Sequence, residues 1–65
     1  MSAHVLAELT VTAEHVDRYR ERVAGLATPL ANTSHEDVVA AIYEAERALR
    51  TAHRMLERAA KLLDA

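Results

Sequence analysis

From Val38 to Leu63, apolar residues recur at spacings that alternate between four and three: Val38, Ile42, Ala45, Leu49, Ala52, Leu56, Ala59 and Leu63. No other pattern in the chain restricts its fold as strongly, because it is the heptad signature of a helix that packs along its whole length. Ile42, Leu49, Leu56 and Leu63 fall on one row of the heptad, and every core residue after Val38 on the other row is alanine. Small residues in every second layer let helix axes approach closely while a larger residue from the facing helix fills the space.

A helix needs a start, and the only cluster of breakers lies just upstream, in GLATPLANTSHED at 25–37. Pro29 cannot continue a helix and pushes Thr28 out of the helical region. Ser34 suits an N-cap, and Asp37, three residues on, complements the helix dipole. The spacing therefore predicts a second helix over about 35–64, roughly 45 Å long, and a turn over about 28–34. Upstream, Val5, Leu9, Thr12, Val16, Tyr19, Val23 and Leu26 keep the same alternation and predict a first helix over about 3–27. Thr12 is a possible cap, and Glu14 and Arg18 stand at i,i+4. Residues 3–11 also alternate like a strand, through Val5, Ala7, Leu9 and Val11, but a lone strand would find no partner in this chain. One glycine, one proline and no phenylalanine or tryptophan agree with an all-α chain.

A short connection makes the helices antiparallel neighbours. A turn centred near Leu30 sets Leu9 against Ala52, Val16 against Ala45, Tyr19 against Ile42 and Val23 against Val38. The expected seam is then Val16, Tyr19 and Val23 against Ile42, Ala45, Leu49, Ala52 and Leu56. The second helix has apolar residues to spare: Ala41, Ala48, Met55 and Leu62 widen its stripe beyond what one partner covers. The first helix widens at Leu6 and Ala13, which this register places on the opposite flank, so a single flat interface is not expected. Tyr43 lies outside the seam and could anchor a partner.

Sixty-five residues make one domain, 1–65, whose own core is too small for comfort. With no cysteine, neither disulfides nor a cysteine zinc site can supplement it. The expected remedy is association: a homodimer or homotetramer, as a four-helix bundle with the Ala41/Ala48/Met55/Leu62 stripe at the contact, and binding to another protein.

Chemistry-bearing patterns are sparse. His4 with Glu8 and His53 with Glu57 repeat a His-x-x-x-Glu spacing that could offer metal donors, but within one hairpin the two pairs fall on opposite flanks and read as solvated i,i+4 pairs, so that a metal at an inter-chain His/Glu cluster is the third-ranked reading. The only serines are Ser2 and Ser34, and there is no glycine-rich phosphate loop, so the chain is read as a non-enzyme with no cofactor. Eight Lys+Arg against ten Asp+Glu lack the basic excess of a general nucleic-acid binder. The Arg47/Arg54/Lys61 row is the alternative reading, although Glu46 to Arg50 and Glu57 to Lys61 stand at spacings that would answer part of the local charge. No apolar run reaches the roughly 18 residues of a membrane span. MSAHVLAELTV lacks a basic leader and carries His4 and Glu8, so a cytoplasmic protein is expected.

In outline the alanine-rich antiparallel hairpin resembles the small helical substrates of type VII secretion. The Trp-x-Gly that marks their turn is absent from ATPLANTS, and the tail lacks their Tyr-x-x-x-Asp/Glu signal, so no residue role is carried over. The sequence thus predicts a small interaction or oligomerisation module, accessory or regulatory in role, that works through helical surfaces.

Overall fold

The computed structural model describes residues 2–65. Helix α1 spans Ser2–Ala27, a single 3-10 turn follows over Thr28–Leu30, and α2 spans Glu36–Asp64. The helices pack against each other as a hairpin whose Cα envelope measures 51 × 14 × 11 Å. The N-terminal stretch is helix from Ser2 onward, and β-branched Thr10 is accommodated by donating its hydroxyl to the Leu6 carbonyl one turn back, at 3.0 Å. Glu14 and Arg18 form no ion pair, since Arg18 is exposed and the nearby cation that engages carboxylates is Arg20.

The turn corrects two expectations. Pro29 does not throw the chain out of helical geometry at Thr28. Ala27 keeps helical angles and the chain tightens into the 3-10 turn, where a proline in the first positions sacrifices no hydrogen bond. The reversal comes later, at Asn32, whose φ of 61° is a left-handed conformation that asparagine tolerates. Thr33 ties the loop together: its hydroxyl donates to the Leu30 carbonyl at 2.6 Å and accepts from the His35 N–H at 3.2 Å. Consequently α2 begins one residue late, with His35 rather than Ser34 at its N-cap and no side-chain cap bond. Glu36 and Asp37 in its first turn supply the dipole complement instead.

The later reversal moves the register. Arg20 meets Glu46 and Asp17 meets His53 across the hairpin, pairs centred on residues 33 and 35 rather than on Leu30. Val16 therefore stands level with the α2 turn holding Leu49 and Ala52, not with Ala45.

Both helices are also rotated from the expected seam, in the same sense. One row of each is as expected: Leu9, Val16 and Val23 on α1, and Ile42, Leu49 and Leu56 on α2, are half-buried between the helices. The other row differs. On α1, Leu6, Ala13, Arg20 and Ala27 face α2 in place of Val5, Thr12, Tyr19 and Leu26. On α2, Val39, Glu46, His53 and Ala60 turn inward, Ala45 is exposed, and Ala52 and Ala59 sit half-buried at the seam's edge. Two physical reasons combine. Ala13 and Ala27 allow a closer axial approach than Thr12 or Leu26 would, and they become almost inaccessible, at 4% and 1%. Arg20 and Glu46 satisfy each other across the seam, so long charged side chains can occupy it with their stems packed.

These alanines are the only buried apolar residues among those described, and no large side chain is fully buried. A fully buried leucine or valine contributes about 1.5–3 kcal/mol. Half-buried ones contribute less, so the hairpin alone has a thin hydrophobic account.

Candidate interaction surface

Because the helices run antiparallel and rotate in the same sense, their matching flanks emerge on one side of the hairpin. On that side α1 presents Val5, Tyr19 and Leu26, with Thr12 between them, all exposed. Beside them α2 presents two apolar rows, Val38/Ala45/Ala52/Ala59 and Ala41/Ala48/Met55/Leu62, which together alternate three and four without a polar interruption. Met55 is 66% exposed, Leu62 67% and Tyr19 57%. Six of the nine large apolar side chains exposed among the described residues lie on this face, so the apolar exposure is concentrated rather than scattered.

The surplus residues Ala41, Ala48, Met55 and Leu62 are brought into line here. Tyr43 is exposed but belongs to the opposite flank, on the same seven-residue row as Arg50, and takes no part in this surface. Tyr19 and Ala45, read from sequence as seam residues, belong to the exposed face instead. The expectation that no flat face could be drawn is likewise corrected: it followed from setting Thr12 and Tyr19 in the seam. The Arg22 guanidinium lies over the Tyr19 ring, 5.4 Å from its centroid.

The opposite flank is polar and anchored by a cluster of which the sequence spacing gives the Glu46–Arg50 and His53–Glu57 pairs but not the links across the seam. Glu46 is 6% exposed in the middle of the seam. Its Oε2 accepts from Arg20 Nη1 at 3.1 Å and from Arg50 Nη2 at 2.7 Å. Arg20 also donates its Nε to Asp17 at 2.8 Å, and His53 sits 3.8 Å from Asp17 and 3.7 Å from Glu57. Burial alone would raise the Glu46 carboxyl, but the two arginine hydrogen bonds and their charges outweigh it and hold Glu46 below the ordinary carboxylate value. The hydrogen bond from Arg20 depresses Asp17 in the same direction, and its two carboxylate partners raise Arg20. Every buried side-chain polar atom among the described residues has a hydrogen-bond partner. The signal was present in the sequence: Arg20 shares the seven-residue row of Leu6, Ala13 and Ala27, and Glu46 shares that of Val39 and Ala60. An apolarity criterion passes over both.

His4 and Glu8 are exposed, and among the described residues no group of three or more His, Asp or Glu side chains is gathered around a position where a metal ion could sit. Arg47, Arg54 and Lys61 form an exposed row, and none of them is in an ion pair among the described residues. Glu57 engages His53 rather than Lys61, and Arg54 reaches only the Thr51 hydroxyl at 3.4 Å. No described helix is long and apolar enough to cross a membrane. Comparison with models of known families, with curated proteins and with solved structures finds no match to this chain.

Proposed function

We propose that this chain is a non-enzymatic interaction module, accessory or regulatory in role, that acts by laying its apolar face against the helices of another chain. Its own second copy is the first partner, and the product is a four-helix bundle. One observation carries the reading. Among the described residues the hairpin buries only two apolar side chains, both alanines, while Val5, Tyr19, Leu26, Val38, Met55 and Leu62 stay exposed on one face. A domain of this size with so small a core needs a partner to become stable. A second pair of helices is the natural cover for two parallel apolar rows.

Native mass by light scattering, from low to high micromolar concentration, tests this. The expected result is a mass of at least twice 7.2 kDa, with a melting temperature that rises with concentration because assembly and folding are linked. A monomer that melts cooperatively at a concentration-independent temperature would overturn it.

A second reading rests on a separate observation, the unpaired Arg47/Arg54/Lys61 row. It would place a phosphate backbone along the outer side of α2. Binding to a generic duplex at low salt that weakens steeply as salt rises supports it. No binding at low salt removes it.

A further inference from the structure

We infer that the occupant of the apolar face is a second copy of this chain related by a two-fold axis along the hairpin's long dimension, so that α1 of each copy lies on α2 of the other and both turns sit at the same end. The inference rests on the self-assembly reading above and adds the arrangement.

Size is the first argument. The 51 × 14 Å Cα envelope gives the face a footprint of roughly 700 Å² before side chains are added, close to the ~800 Å² per partner of a standard stable interface. Shape is the second. Counted outward from a fold-back at residues 33–35, Leu26 stands at the height of Ala41, Tyr19 at that of Ala48 and Thr12 at that of Met55. On α2, Ala41, Ala45, Ala48 and Ala52 form a trough, and on α1 the large side chains Tyr19 and Leu26 stand at those same heights. A long-axis two-fold carries each knob sideways onto the partner's trough, and sets the bulky Met55 over the smaller Thr12.

Charge is the third. The outer edge of α1 beside this face carries Glu8 near the termini and Arg22 near the turn, and the outer edge of α2 carries Arg58 and Glu44 at the matching heights. The same rotation brings Glu8 over the partner's Arg58 and Arg22 over the partner's Glu44, each pair occurring twice. The rim is therefore complementary to itself, which is what an isologous interface requires. An unrelated helical partner would have to reproduce this pattern; a second copy supplies it by symmetry.

The chain has no cysteine, so Ser34→Cys introduces a single site for a spin label in the exposed turn, where the native hydroxyl makes no hydrogen bond. In the dimer, two labels within about 30 Å of each other, a helix spacing plus the label arms, support the arrangement. A separation on the order of the 51 Å envelope overturns it while leaving self-assembly intact, because the turns then lie at opposite ends. A monomer at every concentration overturns both readings. Charge reversal gives an independent check. Glu8→Arg and Arg58→Glu should each weaken dimerisation by roughly threefold to tenfold, and together restore it. A double variant weaker than either single one overturns the arrangement, because it fits only a two-fold across the long axis, where Glu8 faces Arg22 and Glu44 faces Arg58.

Discussion

Alanine at heptad spacing meets opposite fates on the two helices. On α1, Ala13 and Ala27 are the most deeply buried residues of the hairpin. On α2, Ala41, Ala45 and Ala48 lie open to solvent, and Ala52 and Ala59 only at the seam's edge. Intrinsic preference is the same on both helices, and so is the period. The difference lies in what shares each row. The buried alanines of α1 flank Arg20, and the row of α2 that turns inward to meet it carries Glu46. The Arg20–Glu46 pair, each partner also held by a neighbour on its own helix, joins these two rows across the seam, and the alanine row of α2 is left facing outward. A buried charged pair is weak evidence for stability, and a single polar residue can fix the register of a coiled coil.

Removing that layer on one side should have the largest effect. Glu46→Ala leaves Arg50 without its carboxylate and Arg20 with Asp17 as its remaining close partner, around a buried position that loses its anion. The melting temperature is expected to fall by on the order of 10 °C, the scale of breaking a buried pair in a small domain. Thermal denaturation followed by circular dichroism reads it. The double variant Arg20→Met/Glu46→Leu should be as stable as the parent or more so, since an apolar pair of similar volume escapes the desolvation cost. If both variants are equally damaged, the pair matters through packing rather than through charge, and the account of the two alanine rows fails.

Acid breaks the same layer without mutation. The carboxyls of Glu46 and Asp17 are held below their ordinary values of 4.5 and 3.8, so the unfolded chain binds protons more readily than the folded one as pH drops. Their contribution is complete above those values and is lost as the pH falls through the lower, folded-state ones. Stability should thus be level on this account near neutrality and drop below about pH 4. Glu46→Gln should flatten that acid limb in a pH series of melting temperatures; an unchanged limb would place the titrating group elsewhere.

The buried and exposed alanines can then be tested directly against each other. Ala27→Leu forces three extra carbons into a position that is 1% exposed and should cost about 1–3 kcal/mol by overpacking. Ala45→Leu adds the same atoms to an open surface, so helix content and the hairpin should persist, while native mass becomes more dependent on concentration as the trough fills. Equal losses of stability at both positions would mean that both rows are core, contrary to the seam described here.

Much of this could be read from sequence, for a physical reason: long helices with an unbroken period are dictated locally. The two helices, their order and the half of the seam formed by Leu9, Val16, Val23, Ile42, Leu49 and Leu56 follow from spacing alone. The other half does not, because period places a row on a helix without saying which of two adjacent rows turns inward. The i,i+4 pairs Glu46–Arg50 and His53–Glu57 are legible as spacings within α2, but the bonds that carry Arg20 to Glu46 and His53 to Asp17 cross to the facing helix, and an interhelical bond has no signature within either helix. The register depended on the turn, where Thr33 and Asn32 decide the reversal and Pro29 is only the more conspicuous residue. The apolar face was half visible, as the surplus Ala41/Ala48/Met55/Leu62 row. Its other half emerged once Tyr19 and Leu26 were found outside the seam.

A third environment for alanine can be made at Gly25, and it isolates what propensity alone contributes. Gly25 is exposed near the end of α1, and a Cβ built there meets nothing within 4 Å. Its row lies on the far side of α1 from α2 and away from the apolar face. Gly25→Ala therefore gains neither packing nor assembly contacts, only the smaller loss of backbone freedom on forming the helix. The expected gain is about 0.5–1 kcal/mol, read as a small rise in melting temperature with unchanged native mass. Subtracting that baseline from the results at positions 27 and 45 separates the worth of alanine as a helix former from its worth as a small residue. A gain well above 1 kcal/mol, or a change in mass, would show that this row is covered by another chain, and the division into one apolar face and solvated remaining sides would have to be redrawn.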